Sequence, residues 1–118
     1  MNDIQISENF KLSEFQCKCG CGQVKLHSEL LRRLQAIRTE TGRPVRITSG
    51  YRCPSHNRAV GGAERSRHMR GDATDYQIVG LSMPEQRRLT EKYFSDGGIG
   101  YASTYHHGDL GPKRTWRY

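Results

Sequence analysis

The chain has 118 residues, 34% of them hydrophobic, and a formal net charge of +7. That length bounds it to one domain, residues 1–118, around one modest core. The absence of an apolar run of about 18 residues excludes a membrane-spanning helix.

The opening stretch, Met1 to Phe10, is polar and carries no apolar signal-peptide core, so the chain is expected to be made in the cytoplasm without a signal peptide. Ser13 to Gln16 match a capping box and predict a short helical turn. Cys17, Cys19 and Cys21 follow as C-x-C-x-C, and the fourth cysteine is Cys53. This is not the paired C-x-x-C spacing of a zinc ribbon. A disulfide from Cys53 to one of the three, in an oxidising compartment, and a set of buried free thiols both stay open.

Residues 28–40 predict the clearest helix, with Leu30, Leu34 and Ile37 on one face, Arg32, Arg33 and Arg38 on the wet side, and Gly42 and Pro44 closing it. Val45 and Ile47 alternate with Arg46 and Thr48, which predicts a strand ending at Ser49-Gly50. Pro54 suits the first turn of a short helix over 54–60. Residues 73–79 predict a strand. Ser82 to Glu85 form a second capping box, opening a helix to about Phe94. Ile99 to Tyr101 and Tyr105 to Leu110 predict a hairpin, and the tail holds the one tryptophan, Trp116. The expected class is α+β, a small antiparallel sheet with helices packed to one side.

The basic residues run from Lys11 to Arg117 instead of forming one block. Such a surface suits an anionic partner without naming it, and a plain solvated surface suits the pattern equally.

Two of the five histidines stand in unusual company. His68 and Asp75 lie seven residues apart, too far for one helix face but suited to a loop that turns at Gly71 into a strand. On a strand, His107 and Asp109 point to one face while His106 points to the other. A catalytic zinc takes three His, Asp or Glu ligands and keeps one position open. It lowers the pKa of the water it holds to about 7, from about 16 in bulk. A neighbouring carboxylate, here Asp109, is the candidate base, and Arg52 is a candidate for an oxyanion or a substrate carboxylate. Spacing alone favours a structural role for each of these residues, and the H-E-x-x-H motif is absent.

Three ordered segments carry a resemblance: Ser49-Gly50-Tyr51-Arg52 with His56-Asn57; Ser66-x-His68-x-x-Gly71-x-Ala73-x-Asp75; and Gly98-Ile99-Gly100-Tyr101 followed by His107-Gly108-Asp109 and Trp116. Together they resemble the M15 group of zinc D-Ala-D-Ala carboxypeptidases and murein endopeptidases, whose fold is shared with the Hedgehog signalling domain. The resemblance spans roughly residues 10–116. It implies a Zn²⁺ site of His68, Asp75 and His107, with Asp109 as base or proton shuttle. It also implies Arg52 facing the substrate, with Ser66 and Tyr51 beside it. His106 is a further candidate, as a hydrogen-bonding neighbour of the metal ligands or a transition-state stabiliser. The sequence departs from the family pattern at Gly108, which replaces an apolar residue and is expected to widen this part of the site.

The function expected is a monomeric zinc peptidase cutting peptidoglycan stem peptides or cross-links, as carboxypeptidase or endopeptidase, without nucleic-acid or membrane partners. Lacking a signal peptide and a wall-anchoring domain, it fits a phage lysis enzyme released to the wall through a membrane pore. Two alternatives are a non-catalytic zinc module of the same fold and a basic nucleic-acid binder with a cysteine-held structural metal. Asp109 as base predicts that Asp109→Asn keeps zinc and loses cleavage.

Overall fold

The computed structural model describes residues 2–118. Three α-helices, α1 (Ser28–Thr41), α2 (Pro54–Ala59) and α3 (Met83–Tyr93), accompany seven strands. Strands β1 (Gln5–Ser7) and β2 (Phe10–Lys11) form a small antiparallel ribbon. The main sheet contains β3 (Val45–Ser49), β4 (Ala73–Ile78), β5 (Gly98–Tyr101), β6 (His106–Asp109) and β7 (Arg114–Arg117), in the order β3-β4-β6-β5-β7. All its pairs are antiparallel except β5–β7, which is parallel.

Local chemistry explains the helices. The His27 side chain caps α1 by accepting from Glu29 N–H at 3.1 Å. Ser82 and Glu85 complete a reciprocal capping box at α3, each bond 3.3 Å. Near the N-terminus the turn is a 3₁₀ segment, Leu12–Phe15, capped at Lys11, two residues before the Ser13 cap that the capping-box match predicts. There Glu14 reaches back to Lys11 N–H at 2.7 Å, because the main chain at Lys11, not at Ser13, is the extended flank.

Strand alternation sorts the main sheet into two faces. On one, Val45, Ile47, Tyr76, Ile78 and Ile99 join Leu30, Leu34 and Ile37 of α1, Leu89 of α3, and Phe94 in one apolar core. Truncating fully buried Leu34 to Ala is expected to cost about 2–5 kcal/mol. His106 and Gly108 belong to this helix-covered face. A Cβ at Gly108 would stand 2.7 Å from the Phe94 ring. The missing side chain therefore makes room for a core aromatic, and Gly108 does not widen the site as the sequence suggested.

The opposite face carries polar residues in register. Asp75 pairs His107, which pairs Gly100, which pairs Trp116. In the next row Ala73 pairs Asp109, then Gly98, then Arg114. These two rows build the site.

Candidate metal centre

Ser66 opens a 3₁₀ turn, Arg67–Arg70, its hydroxyl accepting from His68 N–H at 3.2 Å. Gly71 closes that turn in the left-handed region at φ 77°, where a side chain would be strained, and delivers the chain into β4. His68 is thereby aimed at Asp75. Its Nδ1 lies 2.7 Å from the Gly50 carbonyl oxygen, a bond that places the ring proton on Nδ1 and leaves the Nε2 lone pair free.

His68 Nε2 lies 3.3 Å from Asp75 Oδ1, and His107 Nδ1 lies 2.9 Å from the same oxygen. All three side chains are buried, with their donor atoms within 4.8 Å of one another. A tetrahedron with metal–ligand bonds of about 2.0–2.1 Å has edges of about 3.3–3.4 Å, so the observed spacings suit a zinc-sized ion with little adjustment.

Asp109 sits behind His107. Its Oδ2 is 2.7 Å from His107 Nε2 and accepts from Arg114 Nη2 at 2.9 Å. Its Oδ1 accepts from Gly98 N–H at 3.1 Å, Gly111 N–H at 2.9 Å and Arg114 Nη1 at 2.9 Å. Held at Nε2 by Asp109, His107 presents Nδ1 toward Asp75 and His68. The carboxylate lies on the far edge of the imidazole from the three donors, fully buried, with both oxygens engaged. It is arranged to orient a ligand. The base role expected from its two-residue offset is tested by the Asp109→Asn substitution.

Charge states follow the contacts. Burial alone would raise the Asp109 carboxyl, but His107, Arg114 and Gly111 N–H outweigh it and hold it well below the usual carboxylate range. Burial also pushes Asp75 up, and the bonds from His107 and His68 overcome it in the same way. For His107, burial disfavours the imidazolium, yet Asp109 and Asp75 raise its pKa overall. Hydrogen bonds at both ring nitrogens describe a doubly protonated ring, in which a metal ion would replace the Nδ1 proton.

The glycines of Gly98-Ile99-Gly100 now have a physical reason. A Cβ at Gly98 would fall 2.2 Å from Arg114 Nη1 and 2.6 Å from both Asp109 carboxylate oxygens. One at Gly100 would fall 2.9 Å from the Trp116 indole and 3.0 Å from His107 Cβ. Arg114 crosses the first gap to reach Asp109. Trp116 leans across the second, its ring centroid 4.9 Å from that of His107.

The centre floors a cavity of about 620 Å³ lined by Arg52, Ser66, Tyr105, Trp116 and Tyr118 among others. Arg52 Nη2 lies 3.5 Å from Asp75 Oδ2, with Nε bonded to Ser49 Oγ at 3.2 Å and Nη1 to Asn57 at 3.4 Å. Arg67, also on the wall, is neutralised by Asp72.

Of the expected site residues, Arg52, Ser66, His68, Asp75, His107 and Asp109 meet at this cavity. Tyr51 and His106 do not. Tyr51 is buried beside Cys17 and Cys53. His106 packs against Tyr101 at 5.7 Å on the helix-covered face, and its Nδ1 has no partner among the described residues. Sequence reasoning missed Arg114, Tyr105 and Tyr118. The available signal for Arg114 was Gly98, whose missing side chain makes its path.

A family model described as Peptidase M15 matches residues 8–109. The chain is 37% identical over 93 residues to the peptidoglycan L,D-endopeptidase MepK of Escherichia coli K12, covering 73% of this chain and 50% of that protein. It is 31% identical over 103 residues to the probable peptidoglycan L,D-endopeptidase MepK of Haemophilus influenzae, covering 79% and 55%. The chain thus spans about half the length of the curated relatives it matches.

Proposed function

The chain belongs to the peptidase M15 family, and from that premise we propose that it is a zinc-dependent endopeptidase acting on peptidoglycan peptides. The observation that carries this reading is the convergence of His68 Nε2, Asp75 Oδ1 and His107 Nδ1 at the floor of an Arg52-lined cavity. The named activity of the relatives, peptidoglycan L,D-endopeptidase, supports an internal bond of a stem peptide or cross-link over a terminal residue as the target.

Bound zinc would supply Lewis-acid polarisation of the scissile carbonyl and activation of water. Within the chain, Gly50 and Asp109 hold the two imidazoles in the tautomers that present lone pairs to the ion. Asp75 brings a negative charge that favours a cation. Arg52, fixed by Ser49 and Asn57, offers a charged fork to a stem-peptide carboxylate or to the carbonyl oxygen as it gains charge. Tyr105, Trp116 and Tyr118 form an aromatic wall that displaces water from one side of the cavity.

One observation favours a second reading, a metal-binding module without hydrolysis. Asp75 and Asp109 are the carboxylates on the cavity wall among the described residues, and both are engaged. Digestion of purified peptidoglycan, with mass analysis of released peptides, separates the two. Hydrolysis predicts new internal-bond fragments that disappear with chelator and return with added zinc. Chelator-insensitive products overturn zinc dependence. Zinc binding with no release supports the module. Release of terminal D-alanine alone assigns a carboxypeptidase.

A further inference from the structure

The four cysteines, three alternating over residues 17–21 and the fourth at 53, are absent from the chemistry above and come together in space. Each sulfur of Cys17, Cys19, Cys21 and Cys53 lies within 4.8 Å of the other three. Cys17 Sγ and Cys19 Sγ are 3.4 Å apart, and Cys19 Sγ and Cys53 Sγ 3.7 Å. A disulfide needs about 2.05 Å and would use only two of the four. A zinc–thiolate bond of about 2.3 Å sets the sulfur–sulfur edge of a tetrahedron at about 3.75 Å. The edges of 3.4 and 3.7 Å, and the 4.8 Å bound on the rest, lie near the second value and far from the first.

The backbone is shaped for it. An extended chain from Cys17 to Cys21 would cover about 13 Å and spread the three thiols in a row. Here Gly20 and Gly22 take φ of 89° and 75°, left-handed values that curl the segment onto itself. Cys53 N–H donates to Cys17 Sγ at 3.4 Å, and His56 N–H to Cys53 Sγ at 3.4 Å. Such donors stabilise thiolate charge. Cys17 and Cys53 are buried, while Cys19 and Cys21 are exposed, so a bound ion would shield the two thiols most open to oxidation.

We propose that Cys17, Cys19, Cys21 and Cys53 form a second, structural metal site, a closed tetrathiolate centre for Zn²⁺. All four positions are protein sulfurs, so the ion has no open position and serves as a staple. It ties the 17–21 loop to the segment after β3, whose Gly50 carbonyl orients His68 and whose Arg52 faces the cavity. In a chain of 118 residues with a modest core, such a clip contributes to folding directly. The inference stands on the cysteines alone and holds whether or not the chain hydrolyses peptidoglycan.

The test is elemental analysis and cobalt substitution of the full chain, purified under reducing conditions. Two metal equivalents are expected in the unmutated protein. His68→Ala should lose one and keep intense sulfur-to-cobalt charge-transfer bands. The double variant Cys19→Ser, Cys21→Ser should lose the other together with those bands. In the His68→Ala background, alkylation of Cys19 and Cys21 should be slow with zinc and fast after chelation, a readout that requires no cysteine substitution. A metal-free His68→Ala protein, cobalt spectra without thiolate bands, equally fast alkylation with and without zinc, or a native mass showing a disulfide would each overturn the proposal.

Discussion

Replacing Asp109 with Asn tests whether this carboxylate orients His107 or moves protons. An amide has one acceptor where the carboxylate has two. If its oxygen keeps the Oδ1 place, it retains the bonds from Gly98, Gly111 and Arg114 Nη1, but its NH₂ then faces Arg114 Nη2 and His107 Nε2 at the observed 2.9 and 2.7 Å. The flipped amide is worse, since its NH₂ would confront three donors. In the retained orientation the NH₂ donates to His107 Nε2, driving the ring proton to Nδ1, the atom that faces Asp75. That is the wrong tautomer for a metal ligand. Zinc affinity should fall about 10- to 100-fold, or about 1.4–2.7 kcal/mol. Folding stability should fall by about 2–3 kcal/mol from the lost charge-assisted bonds, after discounting for an Arg114 side chain that is 39% exposed. Zinc affinity is measured by competition with a chromophoric chelator, and stability by urea denaturation of the metal-free proteins. Unchanged zinc affinity with abolished cleavage would refute the orienting role and return Asp109 to the part of a base.

Gly100→Ala pushes a methyl against Trp116 and His107. It should destabilise the fold by about 1–3 kcal/mol and weaken zinc binding, read by denaturation and chelator competition. Gly108→Val crowds Phe94 on the other face of the same strand. It should cost a similar ~1–3 kcal/mol while leaving zinc affinity unchanged; a change in affinity would show that the two faces are coupled. Arg52→Gln removes the fork facing the cavity. It should lower kcat/KM on peptidoglycan peptides by about 10- to 100-fold, the worth of one charge-assisted bond pair, with zinc content retained; an unchanged kcat/KM removes Arg52 from substrate contact.

The elements that follow local rules were readable along the chain. α1 shows in the spacing of Leu30, Leu34 and Ile37, and α3 in the Ser82–Glu85 box, because helix periodicity and capping act within a few residues. Strand alternation likewise placed His107 and Asp109 on one face and His106 on the other. β7 was not readable. Arg114-Thr-Trp-Arg117 is a largely polar edge segment whose strand conformation comes from parallel pairing with β5.

The donor residues of the candidate metal centre were therefore present in the sequence as types and local spacings, since His68 to Asp75 is one turn-and-strand unit and His107 to Asp109 one strand. Only the tertiary structure decided their surroundings. The far side of Asp109 is filled by Gly98, Gly111 and Arg114, which lie on separate segments, so both of its oxygens are engaged, a setting that its two-residue offset from His107 does not reveal. Gly98 and Gly100 are the gaps through which Arg114 and Trp116 reach the site, and four cysteines of unpromising spacing converge because β3 delivers Cys53 beside a glycine-curled loop. The physical reason is common to all three. A side chain's chemistry is set by the donors and charges within a few ångströms of it, and those are supplied by chain segments that only the fold brings into register.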